Sequence, residues 1–491
     1  MILRHRSADI RCPSEETIET HTTTSFTIIP SVSGRFSCAM EKKTPKYYWS
    51  LIHKYHHRVI QVIKLLKSAR RSLVHAKSSG WGVSEYAAYP ALMFAATPLF
   101  LYYLGSVQYG QWMFVLALNG AGLIGSMGMG PAVTKHLSAA RGSGDLQLAL
   151  RLAGTALLLT LASSLALSGL IVIIAVALGD SLFGKLGGPS DVILLAVTAA
   201  ILIALEQLDG VYSGIMRAFE RFDLAARIEI IAKFGIVAGM AILSVATGKL
   251  GPVIIFTIMA TAVRLGIKAW FASRLIGHSL VMPCWDRELA ADVFHFGKWI
   301  WLQTVGGALF SAADRLIVGA MLGADALARY SICIQLAQQI HMLPSAGAQF
   351  IFPLVSRRAA EGTNVRRIAI LGSLGVAIFS LCLALPILLF GDQILTLWVG
   401  PSIANDAKVT LRILAFAYLV LGLGVGAHFV LLGVGKVRLV AVNNIVAGLI
   451  AIGVSAYAVR YYGLEGAALS RVAYGVVVGQ IIVTFYTSVK K

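Results

Sequence analysis

Charge is what this chain has least of. Only 13% of its 491 residues are Asp, Glu, Lys or Arg, against 57% hydrophobic; a soluble globular chain of this length carries about a quarter charged residues, so that class is excluded. Acidic residues are the scarcer kind: 23 Asp and Glu stand against 42 Lys and Arg, a net charge of +19. Such an excess resembles a nucleic-acid signature. However, roughly +9 of it falls in the first 84 residues and most of the rest in short loops on one side of a membrane, so topology accounts for it and no nucleic-acid partner is expected. The five cysteines, Cys12, Cys38, Cys284, Cys333 and Cys382, are never closely spaced, which suggests neither a zinc site nor a disulfide framework. No Ser/His/Asp, metal-ligand or phosphate-loop constellation appears, so no catalytic residue, metal or cofactor is assigned. Residues 1–80 hold no run approaching the ~20 apolar residues of a spanning helix, and no apolar core followed by a small-residue cleavage site, so no signal peptide is read there.

Long apolar runs are what remains. About twelve are long enough to cross the ~30 Å hydrocarbon core, centred near residues 94, 122, 163, 204, 234, 263, 306, 340, 377, 420, 448 and 475. Basic residues gather after every second run: Lys135, Arg141 and Arg151, then Arg217, Arg221 and Arg227, then Lys268, Arg274 and Arg287, then Arg357, Arg358, Arg366 and Arg367, then Lys436 and Arg438, then Lys490 and Lys491. The other loops hold a minority, Lys185, Lys249, Arg329, Lys408 and Arg460. The positive-inside rule therefore predicts that both termini are cytoplasmic. In the extension 1–80, Ile52, Tyr55, Val59, Val62, Leu66 and Leu73 recur at helical spacing opposite Lys54, Arg58, Lys64 and Arg71. That pattern predicts either an amphipathic helix on an anionic membrane surface or a solvated basic tail. Met40 is an alternative start.

The apolar region is doubled. Leu104-Gly105, Tyr109, Pro131 and then Lys135, His136 and Arg141 recur as Leu322-Gly323, Tyr330, Pro353 and then Arg357 and Arg358, roughly 220 residues later. Glu220-Arg221, opening a span closed by Gly248 to Gly251, recurs as Gly435-Lys436, opening one closed by Gly463 to Gly466. Six spans per copy is an even number, so both copies enter from the same side as parallel repeats. The expected fold is all-α and polytopic, with about twelve transmembrane helices in two six-helix lobes, 81–280 and 281–491, and a site between them.

The residues Leu104-Gly105, Tyr109-Gly110, Met129-Gly130-Pro131-Ala132, Asp314 to Gly319, Phe352-Pro353 and Tyr462 to Ala468 resemble the Wzx-type lipid-linked oligosaccharide flippases, the polysaccharide transporters of the multidrug/oligosaccharidyl-lipid/polysaccharide exporter superfamily. The likeness covers nearly everything from about Gly82 onward. It implies a flippase, not an enzyme, that carries an undecaprenyl-diphosphate-linked sugar unit across a bacterial inner membrane through a V-shaped cleft. It further implies membrane lipids, a polysaccharide polymerase and a chain-length regulator as partners. A cation-coupled multidrug extruder on the same fold is the alternative. A membrane enzyme would need a sizeable outer loop, and the longest predicted one, Gly391 to Asp406, is about sixteen residues.

Charges inside a membrane cost at least ~2.5 kcal/mol each on insertion scales, which makes them functional candidates by default. For a diphosphate headgroup the requirement is cationic donors in a wet cleft. The substrate-binding candidates are Arg264, Arg471, Lys268, Lys298 and His341; Glu206 and Asp209, three apart on one helix face, are candidates for a coupling ion. Two readings stay open for Arg264: substrate contact, or an ion pair with Glu206, Asp209 or Glu229. Lys233, Lys268 and Lys298 lie within snorkelling reach of the interface. Asp314-Arg315 reads as a structural pair. Gly120, Gly122 and Gly125 match a dinucleotide fingerprint, but no strand precedes them, and close helix packing explains them better.

Overall fold

The computed structural model describes residues 89–126, 128–278, 281–361 and 365–489; the basic extension and its predicted amphipathic helix lie outside them. Regular structure among the described residues is helical throughout, the form in which a chain in hydrocarbon satisfies its own N–H and C=O groups. The crossings are α1 (89–104), α2 (106–142), α3 (Leu146–Phe183), α4 (Pro189–Ala218), α5 (Phe222–Thr247), α6 (Leu250–Ile276), α7 (Arg287–Leu322), α8 (324–360), α9 (Arg366–Val399), α10 (Pro401–Gly433), α11 (437–462) and α12 (464–489). Nine described helical segments are long and apolar enough to span. Two of them, Tyr89–Gly142 and Val437–Ile482, are hairpins of two crossings, and α8 is cut into three short pieces, which brings the total to the predicted twelve.

Left-handed glycines make the turns at one end of the bundle, the turn end: Gly105, Gly248, Gly323, Gly400 and Gly463 have φ between +56° and +94°. The predicted sixteen-residue loop around Gly400 is absent, because α9 and α10 are helical on either side of that one residue. Its polar residues are ion-pair partners: Asp392 takes Arg412 at 2.7 Å, and Asp406 takes Arg329 at 2.7 Å. At the opposite, loop end lie the basic connections. The linker between the lobes runs along α3, with Cys284 N–H donating to Gly154 O at 3.2 Å and Arg151 paired with Asp286. Asp286 caps α7; the Leu289 N–H first, and then Arg151, hold its carboxyl below the usual carboxylate range.

The duplication is visible in the breaks. α2 leaves α-geometry at Leu123–Ser126 and turns left-handed at Gly128, and α8 breaks at Gln338 and again at Gln349 and Phe350. After each break the helix restarts with proline third, Pro131 in Met129–Gly142 and Pro353 in Ile351–Ala360, where the missing N–H leaves no intrahelical bond unmade. In each lobe the fourth helix is the packing centre: 50% of the spanning window of α4 and 61% of that of α10 are buried, more than in any other described span. Small residues allow this. A Cβ on Gly214 would lie 2.5 Å from Gly130 O, and one on Gly426 would lie 2.4 Å from Ser373 Cα. Gly122 and Gly125 likewise pack against Ile203, Leu167 and Gln207, as helix packing predicts for that motif.

The lobes meet at the turn end. Thr97 Oγ1 donates to Gln335 Oε1 at 2.9 Å, Lys185 Nζ to Met321 O at 2.7 Å, and Trp398 Nε1 to Phe94 O at 3.0 Å, with the Phe94 and Trp398 rings stacked at 4.1 Å. Gly110 sits so close to Ala324 that a Cβ would fall 1.8 Å from its carbonyl oxygen. Gly110→Ala is therefore expected to hold the turn end apart. In a background with the native cysteines replaced by alanine, a cysteine at Gln335, which is 8% exposed, should react with a water-borne maleimide several-fold faster in the Gly110→Ala protein; an equal rate would mean this contact does not close the lobes.

Candidate functional site in the cleft

Below that contact the lobes part around a cavity of about 670 Å³. It reaches from Trp112, seven residues from Gly105, and Thr257, seven residues from the start of α6 at Leu250, each about 10 Å along its helix, down to Arg217 in the last turn of α4 at the loop end. Most of the wall is N-lobe: α2 around its break, α4, α5 and α6. From the C-lobe, α7 contributes Thr304 and Arg315, eleven residues apart and so on one helix face.

The N-lobe wall carries an ion cluster. Arg264 on α6 reaches Glu229 Oε1 at 3.0 Å, Asp209 Oδ1 at 3.3 Å and Glu206 Oε1 at 3.8 Å. One turn on, Lys268 Nζ donates to Asp209 Oδ2 at 2.7 Å, Ser213 Oγ at 3.0 Å and Glu229 Oε2 at 2.5 Å. Lys233 adds a contact to Glu229 at 3.0 Å. The ion-pair reading of Arg264 is thus what the geometry contains. Lys268, placed by sequence within snorkelling reach of water, is 2% exposed and held by two carboxylates. Three acids and three bases cancel. Glu206 is the member that faces the cleft: its side chain is 45% exposed, against 10% or less for Asp209 and Glu229, and Asn119 Nδ2 donates to it at 3.0 Å.

The other candidates are not brought to this cavity. Arg471 on α12 is 3% exposed inside the C-lobe, forked onto Asp314 at 2.6 and 2.9 Å, while Tyr330 donates to the same carboxylate at 2.5 Å. His341 is half-buried on the middle piece of α8 and is not among the cleft-lining residues. Lys298 lies on α7, with a side chain outside those described. The expected Asp314-Arg315 pair does not form, because consecutive helical residues point about 100° apart; Asp314 turns into its lobe and Arg315 into the cleft. Sequence reasoning gave no cleft role to Lys233, Asn119, Ser213 or Arg217. The spacings Asp209 to Ser213 and Glu229 to Lys233 are i,i+4 signals that could have found two of them.

Breaking a buried pair leaves an uncompensated charge, at a cost of about 3 to 5 kcal/mol. Lys268→Ala is therefore expected to lower thermal stability in detergent by several degrees, and adding Glu229→Gln should restore part of the loss. An additive double variant would show that the two side chains are not energetically coupled.

Comparison with known proteins follows the same lines. The profile described as polysaccharide biosynthesis protein matches residues 81–359, and the MatE profile matches 301–457. A putative O-antigen transporter of Shigella flexneri is 24% identical over 80% of this chain and 93% of its own length. A probable low-salt glycan biosynthesis flippase of Haloferax volcanii is 25% identical over 67% of each. Among solved structures, an inward-facing multidrug resistance transporter of the same exporter superfamily aligns with a TM-score of 0.61 at 16% identity, covering 83% of this chain and 94% of its own. An outward-facing form aligns with a TM-score of 0.52 at 16% identity, covering 83% of this chain and 98% of its own. The structures establish the two-lobe fold alone; the profile spans more than half of the sequence, and the chain belongs to the polysaccharide biosynthesis protein family.

Proposed function

We propose that this protein is a flippase that moves an undecaprenyl-diphosphate-linked oligosaccharide repeat unit across the bacterial inner membrane for surface polysaccharide synthesis. The observation that carries the reading is the charge of the cleft: five described basic residues (Arg217, Lys233, Arg264, Lys268 and Arg315) line it against three acids (Glu206, Asp209 and Glu229). A wall with excess guanidinium and ammonium suits a diphosphate. The names of the Shigella and Haloferax relatives support the same cargo. The role is non-catalytic, and the partners are the lipid-linked substrate, the surrounding lipids, a polymerase and a chain-length regulator.

The loop end is read as cytoplasmic, which puts both termini there. Cations at the turn end support this by being tied down: Arg329 bridges Asp325 and Asp406, and Lys185 caps the Met321 carbonyl. The cleft then opens to the cytoplasm, where the substrate is made. Arg264 and Lys268 meet the headgroup after partial release from their acids, and Glu206 and Asp209 take the coupling ion. Arg471, His341 and Lys298 stay as secondary contacts for another stage of the cycle. The half-exposed Glu206 carboxylate is the feature that favours the second reading, a cation-coupled drug extruder.

Deletion of the gene separates the two. Loss of surface polysaccharide, with accumulation of lipid-linked repeat units and unchanged drug resistance, is the expected phenotype. Intact polymer with lost resistance would establish the extruder instead.

A further inference from the structure

Arg315 is a cleft cation that the described residues leave unpaired. Its guanidinium makes no hydrogen bond or ion pair among the described residues, and its Nε is buried without a partner. The neighbouring carboxylate that ought to neutralise it, Asp314, is already engaged by the Arg471 fork and the Tyr330 hydroxyl. A guanidinium at membrane depth with neither acid nor acceptor is a standing demand for an anion. We propose that Arg315 is the main seat of the substrate's phosphate groups, with Arg264 and Lys268 as passing contacts on the way to it and their cluster, neutral in sum, holding the cleft's shape.

The proposal rests on the flippase reading and refines it. An anion arriving at Arg264 or Lys268 must first displace carboxylates bonded at 2.5 to 3.3 Å, whereas at Arg315 it displaces no protein group and gains charge-assisted hydrogen bonds outright. Position adds a second argument. Arg315 lies eight residues from the turn at Gly323, about 12 Å below it, at the apex of the cleft beneath the Gly110 and Ala324 contact that closes the lobes. A headgroup seated there has travelled the length of the cavity from the Arg217 mouth and stands directly under the barrier to the other side. Thr304 lies on the same face of α7, about three turns lower, along the path.

The test is binding of farnesyl diphosphate, a short prenyl diphosphate, to the purified full-length protein, with farnesol as the neutral control. Arg315→Gln is expected to weaken farnesyl diphosphate binding about tenfold or more, with Arg315→Lys intermediate. The melting temperature should stay at the wild-type value, because no protein partner is lost. Arg264→Gln should lower the melting temperature and change affinity less. If Arg315→Gln binds like wild type, or if Arg264→Gln has the larger effect on affinity, the seat is misassigned while the flippase reading stands on the polymer restored by the wild-type gene. If the wild-type protein binds farnesol as well as the diphosphate, or neither, and fails to restore polymer to the deletion strain, both fall together.

Discussion

A charge in hydrocarbon has to find its opposite, and most of what is distinctive in this fold is an arrangement for doing so. The N-lobe solves the problem with a six-membered cluster on α4, α5 and α6, in which each of Asp209 and Glu229 serves both Arg264 and Lys268. The C-lobe solves it with one forked pair, Arg471 on Asp314, tied to α8 through Tyr330. Each arrangement also ties one pair of helices that the chain does not connect directly, α4 to α6 and α7 to α12, and so fixes its lobe internally while leaving the seam between lobes to weaker contacts. Rigid halves joined by a separable seam are what alternating access requires.

Apart from Lys185, whose ammonium donates to the Met321 carbonyl, the seam at the turn end is made of neutral groups: an amide against a hydroxyl, an indole against a carbonyl, and bare backbone at Gly110 and Ala324. None carries the several kcal/mol that separating a desolvated ion pair would cost. The breaks in α2 and α8 fall at matching places in the two repeats, each just ahead of its proline. They give α2 and α8 a joint below the turn-end contacts, and at the α2 break the Trp301 indole of α7 donates to Ile124 O across the lobes. Pro386 marks another bend, four residues before the non-helical Phe390 in α9.

Most of the architecture was legible because it follows from hydropathy and repetition. Twelve crossings in two repeats reappear in the structure, with the repeated glycines Gly105, Gly323 and Gly463 found at turns, and the family resemblance agrees with the profile matched. The loop about Gly400 was misread because Asp392 and Asp406 look like loop residues until Arg412 and Arg329 are found opposite them, one of them 77 positions away in sequence. Individual charges were harder. Depth singled out Arg264, Glu206 and Asp209, which the structure brings together in one cluster, but depth says nothing about which way a side chain points. Arg471 and Arg315 have the same charge at similar depth, yet one is sealed in its lobe and the other faces the cleft. Adjacent numbering also misled for Asp314 and Arg315, where the rotation between consecutive helical residues was the information needed.

The single-glycine connections at the turn end leave the protein almost nothing above the bilayer on that face. No described domain or hairpin stands there to catch a delivered sugar chain or to hand it on. On the proposed flippase reading, with the turn end outward, cargo released on that side stays tethered by its lipid and diffuses in the plane. Any enzyme that consumes it must therefore bring its own recognition surface down to the level of the headgroups.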